Sequence, residues 1–167
     1  IDNILKLSRA GRIVEQKISI NLKQLILSKF ELLRSQDDSC ELEFVSEPPR
    51  LFADLQGMEQ IFANLIQNSI RYRDPKKEKL LIRINAYVRK DYTVIEYEDN
   101  GSGIEDTVID KIFNSGFTTS RKHGTGFGLS IARKIVEAHG GSIKVHSEGA
   151  GKGCNFIISI PVVEEEN

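Results

Sequence analysis

The run LLIRINAYVRKDYTVIEYED, residues 80–99, constrains the fold more than any other stretch of the chain. It contains two β-type segments, 80–88 and 92–99, rich in Ile, Val and Tyr, with a short turn near Lys90 and Asp91 between them. A connection that short joins neighbouring antiparallel strands. What flanks the hairpin then decides the class. Upstream, KISI (17–20) reads as a short strand, and Asn21 can cap a helix over 22–36 with Leu22, Leu25, Ile26, Phe30 and Leu33 on one face. ELEFV (41–45) alternates as a strand does, PPRLFAD (48–54) reads as a strand after a Pro-Pro turn, and Asp54 can cap a strong helix over 55–73. Downstream come a short helix at 105–112, a polar loop at 114–126, a helix at 127–138 and closing strands at 142–147 and 154–161. Regular βαβ alternation is absent. The expected class is α+β, a two-layer α/β sandwich with one mixed sheet and helices on one face.

The 167 residues suffice for one domain with a real core, and the formal net charge is −1. A charge so small, without a long Lys/Arg block, supplies no global pull toward nucleic acid or an acidic membrane. No apolar run reaches membrane-spanning length and no secretory signal opens the chain. Cys40 and Cys154 are isolated and lack metal-ligand spacing, which points to a reduced cytoplasmic setting. The first residue is Ile rather than Met, so the chain is expected to be a piece of a longer protein.

On the helix at 55–73, Met58, Ile61, Phe62, Leu65 and Ile66 form an apolar stripe. Asn64, Asn68 and Arg71 form a second stripe beside it, spaced by four and three residues. A solvated helix face accounts for that stripe. So does a polyanion with a hard cation, since an amide oxygen can bind Mg²⁺ and a guanidinium can bind phosphate. DNGSG (99–103) puts Asp99 at a strand end and Gly101 and Gly103 in a tight turn, which serves either a plain turn or a close backbone approach to a ligand. HGTGFGLS (123–130) sets three glycines before a helix, where amide N–H groups can face phosphate. No G-x-x-x-x-G-K-[ST] occurs, and the glycines follow a polar loop rather than a strand, against a P-loop or a Rossmann fingerprint. IFNSGFTTSRKHGTG (112–126) reads as a lid, or as an ordinary surface loop, with aromatic Phe113 and Phe117 at its start and Arg121 and Lys122 near its end.

Taken in order, NLIQNSIRY, DNGSGI, IFNSGFTT and GTGFGLSIARKIVEAHGG resemble the N, G1, F and G2 boxes of the ATP-binding catalytic domain of sensor histidine kinases, in the gyrase, chaperone, histidine kinase and MutL ATPase superfamily. The resemblance covers roughly residues 20–162 and includes the closing GKGCNFIISIP. It implies a site for ATP and Mg²⁺ beneath a lid. Asp99 would accept the adenine amino group, with Gly101, Gly103 and Ile104 close to the base and Tyr72 against it. Asn68 would hold Mg²⁺, with Asn64 alongside and Arg71 at the phosphates. Phe113 and Phe117 would anchor the lid. Thr118, Thr119, Arg121, Lys122, Gly124, Thr125, Gly126, Phe127, Gly128 and Leu129 would shape the lid and bring amides and basic side chains to the phosphates.

In the superfamily, the gyrase, MutL and chaperone ATPases and several protein-serine kinases carry Glu, a general base, where this chain has Asn64. An amide cannot take a proton at neutral pH, which favours a protein-histidine kinase over a hydrolytic ATPase, and the intact boxes argue against the other alternative, a nucleotide-binding pseudo-kinase. The F box usually has Pro and Phe where Ser115 and Gly116 stand. None of His123, His139 and His146 has the acidic context of the family's phosphoacceptor. Residues 1–16 resemble the end of the dimerisation and phosphoacceptor helix with its linker, 17–163 the catalytic domain, and 164–167 a tail. The implied partners are the chain's own dimerisation domain and the receiver domain of a response regulator. The piece alone is expected to be monomeric and the whole protein a homodimer.

Overall fold

Residues 80–99 form the expected hairpin, β4 (Leu80–Arg89) and β5 (Tyr92–Asp99), with Lys90 at its turn in the left-handed conformation, φ 54°. The computed structural model describes residues 14, 16–118 and 126–163. The other strands are β1 (Lys17–Ile20), β2 (Cys40–Phe44), β3 (Leu51–Asp54), β6 (Ser142–His146) and β7 (Cys154–Pro161); the helices are α1 (Leu22–Arg34), α2 (Leu55–Arg71) and α3 (Gly128–Ala138).

Five strands make a mixed sheet in the order β2-β4-β5-β7-β6, with β2 parallel to β4 and every other pair antiparallel. The expected mixed sheet is therefore present, but β1 and β3 are not part of it. They pair only with each other, as a separate antiparallel ribbon. Register puts Ile84, Tyr97, Phe156 and Val145 in one cross-strand row, and Ala86, Ile95, Ile158 and Ile143 in the next. These residues point into a single core with Ile26 and Phe30 of α1, Phe62 and Leu65 of α2, and Ile131 and Ile135 of α3. The opposite face carries Glu43, Arg83, Glu98 and Lys144, all exposed, as period-two alternation requires of a sheet covered on one side.

Helix ends follow the capping chemistry read from the sequence. Asn21 Oδ1 accepts from the Gln24 amide (3.1 Å), and Asp54 Oδ2 accepts from the Gly57 amide (3.2 Å). Helix α3 closes through Gly140 at φ 76°, with the Gly141 and Gly140 amides donating to the Val136 and Glu137 carbonyls. His139, at the end of α3, is buried. Its Nε2 accepts from the Asp54 backbone N–H (3.1 Å), so the ring proton sits on Nδ1, which donates to the Ile135 carbonyl (2.8 Å). One imidazole thus ties the end of α3 to the start of α2.

The helix expected at 105–112 is a succession of turns containing one 3₁₀ segment, Ile109–Lys111. Its amide bonds run mainly to the third carbonyl back, as from Val108 to Glu105 and from Lys111 to Val108. The β-branched run Thr107-Val108-Ile109 disfavours a regular α-helix there.

Candidate functional site

A cavity of about 550 Å³ opens between α2, the end of β5 and the start of α3. The polar stripe of α2 descends into it. Arg71 is exposed at the rim, Asn68 is half-buried, and Asn64 is buried beneath them. Asn64 is engaged at both ends of its amide: its Oδ1 accepts from Gln60 Nε2 (2.8 Å) and its Nδ2 donates to the Gly128 carbonyl (2.9 Å). It thereby fastens the first turn of α3 to α2.

At the opposite end, Asp99 faces the cavity from the last position of β5, where the apolar row of the sheet gives out. Its carboxylate is buried, at 8% exposure, and both oxygens are held. Oδ1 accepts from the Gly101 amide (2.9 Å) and Oδ2 from Ser69 Oγ (2.7 Å). Tyr97 OH lies 2.8 Å from Ser69 Oγ. Since the serine proton goes to the carboxylate, the phenol is the donor in that contact. Burial pushes the Tyr97 phenol well above its ordinary value, and the Asp99 charge pushes the same way, so it keeps the proton it donates. Cys154, paired with Asp99 across β5 and β7, also lines the cavity; burial, then the Asp99 charge, push its thiol up to about 12. It is a neutral thiol, not a nucleophile.

The 99–104 turn is held from two sides. The Tyr72 carbonyl accepts from the Ser102 amide (2.9 Å), and a Cβ on Gly101 would lie 2.8 Å from that same oxygen. Gly103, at φ 74°, packs so closely on the Gly149 carbonyl that no Cβ fits. Ser147 Oγ accepts from the Ile104 amide (3.0 Å) and donates to the Gly153 carbonyl (2.7 Å), fastening the turn to the β6–β7 loop.

Of the residues singled out from the sequence, Asn64, Asn68, Arg71, Tyr72, Asp99, Gly103, Ile104, Phe117, Thr118, Gly126, Gly128 and Leu129 line this one cavity. Gly101 is buried behind Asp99. Phe113 packs against the core instead, edge-on to Phe156 at 6.4 Å between ring centroids, with the Arg133 guanidinium 5.6 Å from its ring centre. Phe127 precedes α3 and also packs on the core. Thr119, Arg121, Lys122, Gly124 and Thr125 lie outside the described residues. The segment before them and Gly126 meet closely: the Gly116 amide donates to the Gly126 carbonyl (2.9 Å), and a Cβ on Gly126 would come 2.8 Å from Gly116 Cα. Across the cavity, Tyr72 OH lies 3.2 Å from Thr118 Oγ1.

Sequence reasoning missed Ser69, Ser102, Ser147, Cys154 and Phe156. Ser69 had one available signal, a small polar residue in helical register with Met58, Phe62 and Leu65 on the apolar stripe. The others carry no local pattern.

A buried carboxylate and an amide-bearing helix thus face each other across one cavity, at the end of a mixed sheet covered on one face by helices. Residues 53–164 match the model of the histidine kinase-, DNA gyrase B- and HSP90-like ATPases, and the chain belongs to that family. Among its relatives, the sensor protein FixL of Bradyrhizobium diazoefficiens is 32% identical over 136 residues, covering 80% of this chain and 26% of FixL. The sensor protein SrrB of Staphylococcus aureus is 31% identical over 169 residues, covering 97% of this chain and 28% of SrrB. The chain thus spans about a quarter of the length of these curated relatives. In structure it resembles the catalytic domain of histidine kinase ThkA (TM-score 0.72, 30% identity, covering 88% of this chain and 96% of that one). It shares its fold with full-length ShkA, solved in complex with AMPPNP (TM-score 0.81, 22% identity, covering 99% of this chain and 36% of that one). Among the described residues, no helix is long and apolar enough to cross a membrane.

Proposed function

We propose that this chain is the ATP-binding catalytic domain of a two-component sensor histidine kinase, working in the cytoplasm on a histidine of a dimerisation hairpin. The phosphate would then pass to an aspartate on the receiver domain of a response regulator. The observation that carries the reading is Asp99. A buried carboxylate with one oxygen held by an amide and the other by a serine leaves its remaining acceptor capacity toward the cavity, which suits an exocyclic amino group such as that of adenine. Tyr72, Gly103 and Ile104 border the same end and would flank the base.

The phosphates would lie along α2 toward the start of α3. Among the described residues, no group of three or more His, Cys, Asp or Glu could hold a metal by itself. Mg²⁺ would accordingly be shared, with the Asn68 amide oxygen and the nucleotide's phosphate oxygens holding it, and it would neutralise charge during phosphoryl transfer. Arg71 at the rim would meet a phosphate, and the lid residues 119–125 would supply further donors.

Asn64 supports transfer over hydrolysis. Both ends of its amide are committed to Gln60 and Gly128, and an amide is no base. A histidine acceptor brings its own nucleophilic nitrogen and needs less help. The test is calorimetric titration of the chain with a non-hydrolysable ATP analogue, with and without Mg²⁺, against GTP. Saturable, adenine-selective binding that Asp99→Ala abolishes is expected. An affinity for Asp99→Ala within about twofold of wild type would refute the pocket assignment. Adding a separately produced acceptor hairpin with ATP then distinguishes phosphohistidine from free phosphate.

A further inference from the structure

Lys77 stands outside the cavity, in the 72–79 segment that links α2 to β4. Its ammonium donates to two backbone carbonyls at once, Asn100 O (2.8 Å) and Gly151 O (2.9 Å), and lies 3.9 Å from Asp74 Oδ2. Those carbonyls belong to the two loops that frame Asp99, the 99–104 turn and the β6–β7 loop. The loops are also joined to each other, by the Gly151 amide donating to the Ser102 carbonyl (2.7 Å) and the Gly153 amide to the Gly101 carbonyl (3.1 Å).

The peptide that Lys77 grips is the informative one. The carbonyl of Asn100 and the amide of Gly101 are opposite ends of a single peptide unit, and that amide donates to Asp99 Oδ1 (2.9 Å). A cation at the oxygen end polarises the unit and strengthens its N–H as a donor, as linked hydrogen bonds polarise one another; the Lys77 side chain is 35% exposed, so solvent screens part of this. The same cation fixes the plane of the peptide, and so the direction of the N–H. Asp99 Oδ2 is fixed separately by Ser69. We infer that Lys77 is a positioning residue for base recognition, acting through the Asn100–Gly101 peptide to hold the Asp99 carboxylate in its cavity-facing orientation.

This rests on the nucleotide reading above, and the experiment separates the two. Affinities of the chain for adenosine, ADP and a non-hydrolysable ATP analogue, with GTP as competitor, are measured for wild type, Lys77→Met and Lys77→Arg. The Gly101 amide resonance is followed by ¹H–¹⁵N spectroscopy in the same samples. Lys77→Met keeps most of the apolar stem and removes the cation. It is expected to weaken all three adenine ligands by a common factor of about tenfold, to narrow the preference for adenine over guanine, and to move the Gly101 amide proton upfield. Lys77→Arg retains a cationic donor and is expected to recover most of the affinity. A merely structural role would move neither the base preference nor that one amide. Unchanged affinities, a loss that grows with the number of phosphates, or an unmoved Gly101 resonance would overturn the assignment while leaving the nucleotide site intact. A wild-type chain that binds no adenine ligand would overturn both. If Lys77→Met does not fold, Lys77→Gln, which keeps a neutral donor, is judged by the same outcomes.

Discussion

Ser69→Ala is the perturbation that most directly probes the floor of the site. Ser69 is 3% exposed and relays one proton chain, from Tyr97 OH to Ser69 Oγ and from Ser69 Oγ to Asp99 Oδ2. Removing the hydroxyl affects the two partners unequally. Asp99 borders the cavity, so water can replace the lost donor, leaving a net cost of about 1 kcal/mol. Tyr97 is fully buried, and its orphaned hydroxyl costs about 2 kcal/mol. The expected destabilisation is about 3 kcal/mol, read as the change in urea unfolding free energy at constant m, or as a fall in Tm of about 6–12 °C for a chain of this size. Adding Tyr97→Phe removes the orphan. The double variant should be no less stable than Ser69→Ala alone, a coupling that a double-mutant cycle reads directly. Adenine-nucleotide affinity should fall about tenfold in both variants carrying Ser69→Ala, because Asp99 Oδ2 is no longer fixed. Strict additivity of the two substitutions, or a Ser69→Ala cost below about 0.5 kcal/mol, less than one ordinary hydrogen bond, would refute the relay.

Three further outcomes are expected. Asn68→Ala should weaken the Mg²⁺ dependence of ATP-analogue binding while leaving adenosine affinity within about twofold; equal loss for both ligands would remove its metal role. Gly103→Ala places a Cβ against the Gly149 carbonyl at a φ of 74°, so the turn must open. It should lower stability by about 2 kcal/mol or more and adenine affinity with it, and a neutral result would show that the β6–β7 loop yields freely. Asp37, between α1 and β2, has its carboxyl held down at about 2, first by the Ser39 hydroxyl and amide, then by Arg73 (2.8 Å). A depressed native value gives stability that is present above the unfolded value, about 4, and is lost as pH falls toward and through the native one. Urea midpoints measured from pH 5 to pH 2 should therefore decline more steeply for wild type than for Asp37→Asn, and parallel curves would contradict the assignment.

Features of the molecule that repeat along the chain were legible in advance. The hairpin at 80–99 follows from strand composition and a short turn, and α2 from an apolar stripe and an acidic cap. Asn64 and Asn68 stood out because helical spacing aligned them, and Asp99 because it ends a strand before a glycine turn. What could not be read was set by partners distant in sequence. Ser69 shows in the sequence only as a polar break in the apolar stripe, and its role appears when Asp99 comes within 2.7 Å; Ser147 shows nothing until the Ile104 amide comes within 3.0 Å. The separate β1–β3 ribbon was hidden for the same reason, since pairing depends on which edge is near. Gly116 is a different case. Beside the family's usual Pro-Phe it looked only like a departure, whereas its amide bonds Gly126, and a side chain on Gly126 would collide with it.

His139 has a consequence for the chemistry proposed above. The nucleophile in phosphoryl transfer to histidine is the lone pair of a neutral ring nitrogen. In His139 that lone pair, on Nε2, already accepts the Asp54 N–H, and the other nitrogen carries its proton toward Ile135. The contact that joins two helices therefore also leaves His139 without a free ring lone pair, so under the proposed chemistry this buried imidazole would be no acceptor.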